Sequence, residues 1–178
     1  MANWQLATFG GGCFWCIEAA FNMLKGVERV VSGYSGGHIA NPTYEHICRG
    51  DSGHAEVIQI RFDADTIDYQ QLLQVFFQLH DPTELNRQGN DVGTQYRSVI
   101  FYHNDTQLKL AQSEIDALER AQVWPNPIVT ELSPATQFYP AENYHQDYVE
   151  RNPNQPYCAL MVNPKLSKFK HQFTELLK

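Results

Sequence analysis

The run Gly-Gly-Gly-Cys-Phe-Trp-Cys, which begins at residue 10, is the strongest chemical feature of the sequence. Its glycines permit a sharp turn of the backbone, and the apolar spacing from Phe14 onwards predicts a helix. Cys13 then lies at the first turn of that helix, where unpaired N–H groups and the helix dipole stabilise a thiolate. We therefore predict that Cys13 is a nucleophile with a lowered pKa. A buried small hydrophobe beside the turn is the alternative.

Three further cysteines stand at positions 16, 48 and 158. Cys16, one helical turn after Cys13, either pairs with it as a dithiol redox motif or packs in the core. Cys158 follows Asn-Pro-Asn-Gln-Pro-Tyr, a segment that predicts irregular, movable backbone from which a thiol can attack an oxidised Cys13. Cys48 has no such context and is expected to be structural. No metal site is expected, because a zinc site needs four ligands and the sequence has one Cys-x-x-Cys pair.

One carboxylate and three tyrosines are candidates for moving or donating protons. Glu56 begins a predicted strand after a glycine-bearing loop, where burial beside aromatic rings would raise its pKa and make it a general acid. The alternative is a solvated residue at a strand end. Tyr44, Tyr96 and Tyr148 fall in polar, turn-rich or helix-end segments and can aim a hydroxyl at a ligand. Asp91 shares such a loop with Tyr96. Taken singly, each of these four is typical of a surface aromatic or a turn aspartate.

The elements that must position these residues alternate between strands and helices. The patterns predict strands at 4–9, 27–34, 55–62, 97–102 and 128–132, and helices at 14–24, 69–79, 105–122, 142–150 and 165–177. This order indicates an α/β (α+β) fold: a two-layer sandwich with a mixed sheet and a ferredoxin-like split βαβ core. Extra helices and long loops at 35–53 and 81–96 are added to that core. Without repeats or a linker, one domain spanning 1–178 is expected.

Composition narrows the classes of function. The chain has 178 residues, 43% of them hydrophobic and 12% aromatic, which is typical of a globular protein with material for a pocket. The net charge is −7 and the basic residues form no stripe, so a nucleic-acid partner is not expected. No stretch approaches 18 apolar residues and no secretory leader is recognisable, so we expect no membrane span and a cytoplasmic location.

Several short runs, in one order from about residue 9 to residue 158, resemble the signatures of the A-type peptide methionine sulfoxide reductases. They are GCFW at 12–15, GYSGG at 33–37, NPTY at 41–44, GHAE at 53–56, HDP at 80–82, QGND at 88–91, GTQYRS at 93–98 and HQDY at 145–148. So many spaced motifs are far more specific than a single Cys-x-x-Cys.

The resemblance implies a substrate and a role for each candidate. Cys13 would attack the sulfur of a methionine S-sulfoxide, free or in a peptide, and become a sulfenic acid. Glu56 would donate a proton to the departing oxygen, which Tyr44 and Tyr96 would hold. Donors suit that oxygen because negative charge develops on it during the reaction.

The resemblance also implies a binding pocket and a way to regenerate the thiol. Phe14 and Trp15 would form the apolar wall for the substrate methyl group, and Asp91 and Tyr148 the polar rim. No cofactor is implied.

In the family, a cysteine placed like Cys158 forms a disulfide with the nucleophile, and thioredoxin reduces that disulfide. Cys16 stands where other members have glycine, so it is the alternative resolving thiol. The tail after Cys158 lacks the further cysteine of some members, which excludes a relay through the tail. Two other functions remain open: a general thiol-disulfide oxidoreductase using Cys13 and Cys16, and a module that binds methionine peptides without turnover.

Overall fold

Six strands form one mixed sheet in the computed structural model, which describes all 178 residues. The chain has eight strands in all, six in this sheet and two in a separate pair. They are β1 (Trp4–Gly10), β2 (Val27–Ser35), β3 (Ala55–Asp63), β4 (Arg87–Gln88), β5 (Asp91–Val92), β6 (Val99–Tyr102), β7 (Glu131–Pro134) and β8 (Phe138–Pro140). The helices are α1 (Phe14–Asn22), α2 (Tyr44–Cys48), α3 (Tyr69–Leu79), α4 (Asp105–Arg120), α5 (Tyr148–Arg151) and α6 (Asn163–Gln172). The short strands β4 and β5 pair only with each other.

The sheet order β7-β6-β1-β3-β2-β8 confirms the predicted fold class. Its four central strands, β6-β1-β3-β2, pair antiparallel throughout, so β1 and β2 run in the same direction on either side of β3. That arrangement is the split βαβ core, with α1 and α3 as the two crossover helices. Strand β7 extends one edge in parallel to β6, and β8 extends the other edge antiparallel to β2.

Apolar residues are buried on both faces of the sheet, but unequally. Phe9, Ile58 and Ile60 belong to a cluster of 30 buried residues that also includes residues of α1, α3 and α6. On the other face, Val57 and Phe101 belong to a cluster of only 4. The helices therefore cover one face of the sheet, and the smaller cluster closes the other.

The predicted elements differ from the structure mainly near the carboxyl end. The predicted helix at 142–150 is instead a short turn at Asn143–His145 followed by α5. The predicted strand at 128–132 is shifted, since β7 spans Glu131–Pro134, and β8 was not predicted. The helix predicted at 165–177 is α6, which ends earlier and continues a π-helical turn at Cys158–Val162.

Cys158 therefore does not lie in the irregular backbone predicted for it. It begins that π-helical turn, is fully buried and belongs to the main core. Of the residues that precede it, Asn152 to Gln155 lie outside helical backbone, whereas Pro156 is already in the helical turn that leads into Cys158. No helix of the protein has both the length and the apolar content that crossing a bilayer requires.

Candidate active site

A glycine turn between β1 and α1 delivers Cys13 to the start of the helix. Gly12 has φ +85°, a conformation that other residues adopt only with strain. A Cβ on Gly11 would lie 3.1 Å from the His80 and Phe76 rings, so this stretch of backbone passes tightly against α3. Cys13 is the N-cap residue of α1, with extended backbone and no capping bond from its side chain. The predicted placement of Cys13 at a helix start is confirmed.

The predicted lowering of the Cys13 pKa is wrong. Burial raises the pKa of the thiol well above its ordinary value, and the charges of Glu56 and Cys16 raise it further. Only the backbone N–H of Trp15 acts in the opposite direction among the leading contributions. The loss of water around the sulfur raises the pKa by more than the N–H groups at the start of the helix lower it. Cys13 is therefore a protonated thiol in the free protein at neutral pH.

Glu56 lies in the interior, not at a solvated strand end. Its side chain is 2% exposed, and its Oε1 accepts a hydrogen bond of 3.1 Å from the backbone N–H of Phe14, the first residue of α1. Burial is the main cause that raises the pKa of Glu56 to about 8. At neutral pH this carboxyl group is mostly protonated, as a general acid must be before it reacts.

The hydroxyls of Tyr44 and Tyr96 lie close enough to Glu56 for its charge to affect both. In each tyrosine, burial is the largest cause of a raised pKa, and the charge of Glu56 adds to it. The charge of Cys13 also raises the pKa of Tyr96. Both hydroxyls therefore remain protonated and can donate hydrogen bonds beside Cys13 and Glu56.

An aromatic wall stands next to this group of donors. The rings of Trp15 and Tyr148 stack with centroids 3.9 Å apart and planes 8° from parallel. The Trp15 Nε1–H donates a hydrogen bond of 3.0 Å to Nδ1 of His145. The ring of His145 packs in turn against Phe14 and Tyr44, with centroids 5.2 Å and 4.5 Å away. His145 thus connects the wall to the donors, a role that sequence reasoning missed although the residue begins the HQDY motif.

Asp91 is held at the site by a residue that the sequence did not single out. The Tyr157 hydroxyl donates a hydrogen bond of 2.9 Å to Oδ2 of Asp91, and its ring meets the Trp15 ring edge-on at 5.9 Å. The charges of Cys13 and Cys16 help to raise the pKa of Tyr157, after burial. Tyr157 therefore contacts both Asp91 of β5 and Trp15 of α1, close to the nucleophile. Its one signal in the sequence was its place directly before Cys158.

The four cysteines are free thiols in different surroundings. Cys16 is half-buried, and burial raises its pKa to about 11 although the positive charge of Lys165 acts against this. The charge of Cys16 is one of the causes that raise the pKa of Cys13, and the charge of Cys158 raises that of Cys16. Cys16 is thus electrostatically coupled to both.

Cys48 is exposed at the end of α2. No group of three or more His, Cys, Asp or Glu side chains is arranged to hold a metal ion.

The site therefore brings together most of the residues selected from the sequence. The charge of Glu56 raises the pKa of Cys13, Tyr44 and Tyr96. The charge of Asp91 raises the pKa of Cys13 and Tyr96, and the rings of Trp15 and Tyr148 stack beside this group. Phe14 is fully buried and faces the ring of Tyr34 at 5.7 Å. A nucleophilic sulfur, a protonated acid and two hydroxyl donors can act on one polarised oxygen and the atom that bears it.

The family model and the curated relatives that match this chain carry the same family description. The family model described as "Peptide methionine sulfoxide reductase" matches residues 5–177. The peptide methionine sulfoxide reductase MsrA of Acinetobacter baumannii (strain AYE) is 57% identical over 174 residues, covering 98% of this chain and 99% of the relative. The MsrA of Saccharolobus solfataricus is 52% identical, with coverage of 98% and 97%.

Solved structures agree. Reduced Mxr1 from Saccharomyces cerevisiae superposes with a TM-score of 0.78 at 36% identity, covering 85% of this chain and 87% of Mxr1. Methionine sulfoxide reductase A of Corynebacterium diphtheriae gives 0.75 at 32% identity, with coverage of 85% and 76%. Mxr1 in complex with Trx2 gives 0.55 at 27% identity, with coverage of 82% and 84%.

Proposed function

Because this chain belongs to the peptide methionine sulfoxide reductase family and is therefore an oxidoreductase, we propose that it reduces methionine S-sulfoxide, free or in peptides, by attack of Cys13 on the sulfoxide sulfur. The observation that carries this proposal is the buried, protonated Glu56 beside Cys13. A module that only binds methionine has no use for such an acid. Thiol-disulfide exchange depends on one far less, because a thiolate can leave without being protonated whereas a sulfoxide oxygen cannot.

The first step conserves protons and electrons. The sulfur of Cys13 bonds to the sulfoxide sulfur while Glu56 protonates the sulfoxide oxygen, and the carboxylate that Glu56 becomes takes up the proton of the thiol. The hydroxyls of Tyr44 and Tyr96 donate to that oxygen as negative charge develops on it. The bonds from the methionine sulfur to this oxygen and to Cys13 then break, and the hydroxyl group ends on the Cys13 sulfur. The methionine leaves as a thioether, reduced by two electrons, and Cys13 is oxidised by two electrons to a sulfenic acid.

The raised pKa of Cys13 fits this sequence of proton transfers. While Glu56 keeps its proton, the negative charge that disfavours a Cys13 thiolate is absent. When substrate is bound, its oxygen takes the Glu56 proton and the resulting carboxylate can accept the thiol proton, so the thiol is activated only when there is an oxygen to protonate. The protein then spends little time as an exposed thiolate that other oxidants can consume.

The aromatic residues provide the apolar part of the pocket. Trp15 offers a ring surface to the methyl group of the substrate, and Phe14 supports the wall from the core side. Asp91 and Tyr148 form the polar rim, with Asp91 held by Tyr157. We assign these as binding residues because none of them carries a labile proton at the reacting atoms.

We propose that Cys16 and Cys158 act in turn on the sulfenic acid. Cys16 attacks the Cys13 sulfur, a disulfide forms and water leaves. Cys158 then attacks the sulfur of Cys16, which releases Cys13 as a thiol and leaves a Cys16–Cys158 disulfide. Full burial of Cys158 argues against its being the first to attack, whereas Cys16 is half-buried on the same helix as Cys13. Direct attack by Cys158 is the competing route.

We propose thioredoxin as the reductant of the final disulfide, supported by the similarity to Mxr1, which has been solved in complex with Trx2. Transfer of two electrons from a dithiol restores both cysteines. A reducing compartment such as the cytoplasm suits a protein whose four cysteines are free thiols.

The test uses fully reduced protein and one equivalent per chain of either the S or the R sulfoxide of N-acetylmethionine, without external reductant. Methionine derivative released and thiols lost are counted for each chain. The wild-type protein should release one product from the S epimer and lose two thiols, and the R epimer should be inert. If the R epimer reacts equally well, the assigned stereochemistry is wrong.

The same counting identifies the resolving thiol. Cys16→Ser should retain a sulfenic acid on Cys13 much longer than the wild type, and Cys158→Ser should form a Cys13–Cys16 disulfide. Peptide mapping of the disulfide distinguishes these products. A Cys13–Cys158 disulfide that forms at the wild-type rate in Cys16→Ser would show that Cys158 attacks directly.

A further inference from the structure

A second cavity, of about 360 Å³, lies along one face of α1 and shares residues with the aromatic wall. Its apolar lining comes from α1, α5 and α6: Trp15, Ala19, Met23, Tyr148, Val149 and Leu166. Neither Cys13 nor Glu56 is part of this lining. The cavity therefore adjoins the candidate active site at Trp15 and Tyr148, but it serves no step of the reaction proposed above.

The charged groups around this cavity are all acidic, and Asn22 is a neutral polar group beside them. Glu18, Asp147 and Glu150 line it, and no lysine or arginine does. The ion pairs of the protein all lie elsewhere, so none of these three carboxyl groups is neutralised by a basic side chain. Asp147 and Glu150 are exposed at the rim, whereas Glu18 is buried. An apolar groove with an unpaired acidic rim suits a side chain that is apolar along its stem and positive at its end.

The buried carboxyl group gives the cavity a fixed floor. Glu18 accepts hydrogen bonds from the Ser32 hydroxyl and, at 2.6 Å, from the backbone N–H of Asp147. Burial raises the pKa of Glu18 to about 7, so the group is close to half-ionised at neutral pH. Asp147 itself has a left-handed backbone, with φ 54°, directly before Tyr148. The hydrogen bond to Glu18 thus fixes the backbone of Asp147 at the rim of the cavity.

The distance along α1 fits a neighbouring residue of a peptide substrate. Ala19 lies six residues after Cys13, which is about 9 Å along a helix axis. An extended peptide advances about 3.3–3.6 Å per residue. A residue two or three positions from the oxidised methionine therefore reaches the cavity when the sulfoxide is at Cys13.

We propose that this cavity is a substrate subsite for a lysine or arginine two or three residues away from methionine sulfoxide in an oxidised protein. The methylene stem packs on Met23 and Leu166, and the cation lies at the carboxylates of Asp147 and Glu150. The inference rests on the proposed function of the adjacent site and adds a preference for the sequence around the oxidised methionine. It predicts that free methionine sulfoxide is a poorer substrate than a suitably flanked peptide.

The test compares peptides that carry methionine sulfoxide and differ at one flanking position, two or three residues before or after it. Lysine, norleucine and glutamate are placed there, norleucine having a similar stem without the charge. We expect kcat/KM for the best lysine peptide to exceed that of its norleucine partner roughly three- to tenfold, the range for one or two partly exposed ion pairs. The glutamate peptide should be the poorest, and the advantage of lysine should shrink as salt is added.

The double variant Asp147→Asn, Glu150→Gln should bring the lysine-to-norleucine ratio to about one. Because the ratio is taken within each variant, a general loss of fold or activity does not imitate this result. Asp116→Asn, on an exposed face of α4, removes one charge away from the cavity and should leave the ratio unchanged.

Equal kcat/KM for the lysine and norleucine peptides in the wild type, or a ratio that survives the double variant, would overturn the subsite. Failure to reduce any of the peptides, the norleucine peptide included, would instead count against the proposed function.

Discussion

Replacing Glu56 with glutamine separates proton donation from the other contacts of this residue. The amide oxygen of glutamine can still accept the hydrogen bond from the backbone N–H of Phe14, but the side chain has no acidic proton to give. General acid catalysis contributes about 10²- to 10⁴-fold to a rate. We therefore expect Glu56→Gln to lower kcat/KM for N-acetylmethionine S-sulfoxide by about that factor, with the fold intact.

The pH dependence provides a second readout. Because the pKa of Glu56 is about 8, the wild-type kcat/KM should fall above pH 8 as the carboxyl group loses its proton. The residual activity of Glu56→Gln should lack this falling limb. A rate within threefold of wild type, or the same falling limb in the variant, would refute the assignment of Glu56 as the acid.

Ionisation of Glu56 should also lower the free energy of unfolding as pH rises. The raised pKa means that the folded state holds a proton which the unfolded state releases near pH 4.5. Stability is therefore lost as pH rises from about 4.5 to about 8. A rise in pKa of this size corresponds to about 5 kcal/mol. Urea unfolding at the two ends of this window should show a smaller decline for Glu56→Gln than for wild type. Parallel declines would mean that the carboxyl group is not buried as described.

Three further substitutions test other parts of the site. Gly12→Ala should lower the free energy of unfolding in urea by about 1–2 kcal/mol, because alanine at φ +85° is strained; an unchanged midpoint would contradict this. Trp15→Phe removes the hydrogen bond to His145 while keeping an apolar ring, so kcat/KM should fall by about tenfold, as for one lost hydrogen bond. Wild-type kinetics would show that this bond does not position the wall. Ser32→Ala removes a hydrogen bond that lowers the pKa of buried Glu18, so it should destabilise the protein by about 1–3 kcal/mol, and more at pH 8 than at pH 5. Equal losses at the two pH values would show that Glu18 is not ionised.

Local signals in the sequence were sufficient to place the nucleophile. The glycine run and the apolar spacing after it predict the turn and helix that put Cys13 at an N-cap. The helix at Tyr69–Leu79 was predicted with its observed bounds because its apolar spacing is regular, and in the structure Asp68 caps it. Glu56 was placed at a strand start by the same reasoning, although its burial depends on residues far away in the chain.

The remaining features depend on contacts between distant segments. The pKa of Cys13 is raised because β3 brings Glu56 beside it and the core excludes water, and no local pattern reports either effect. Tyr157 and Asp91 are 66 residues apart, so their hydrogen bond has no local signal. Cys158 was predicted to be movable because prolines precede it, whereas its burial follows from packing of the helix that it begins.

Attack of Cys13 on the sulfoxide is tested most directly by trapping the oxidised nucleophile. A variant with Cys16→Ser and Cys158→Ser retains Cys13 but lacks both proposed resolving thiols. One equivalent of N-acetylmethionine S-sulfoxide is added in the presence of dimedone, which alkylates sulfenic acids, and the peptides are mapped by mass spectrometry. We expect one thioether released per chain and the dimedone adduct on Cys13. Release of product without an adduct on Cys13, or an adduct confined to Cys48, would contradict it.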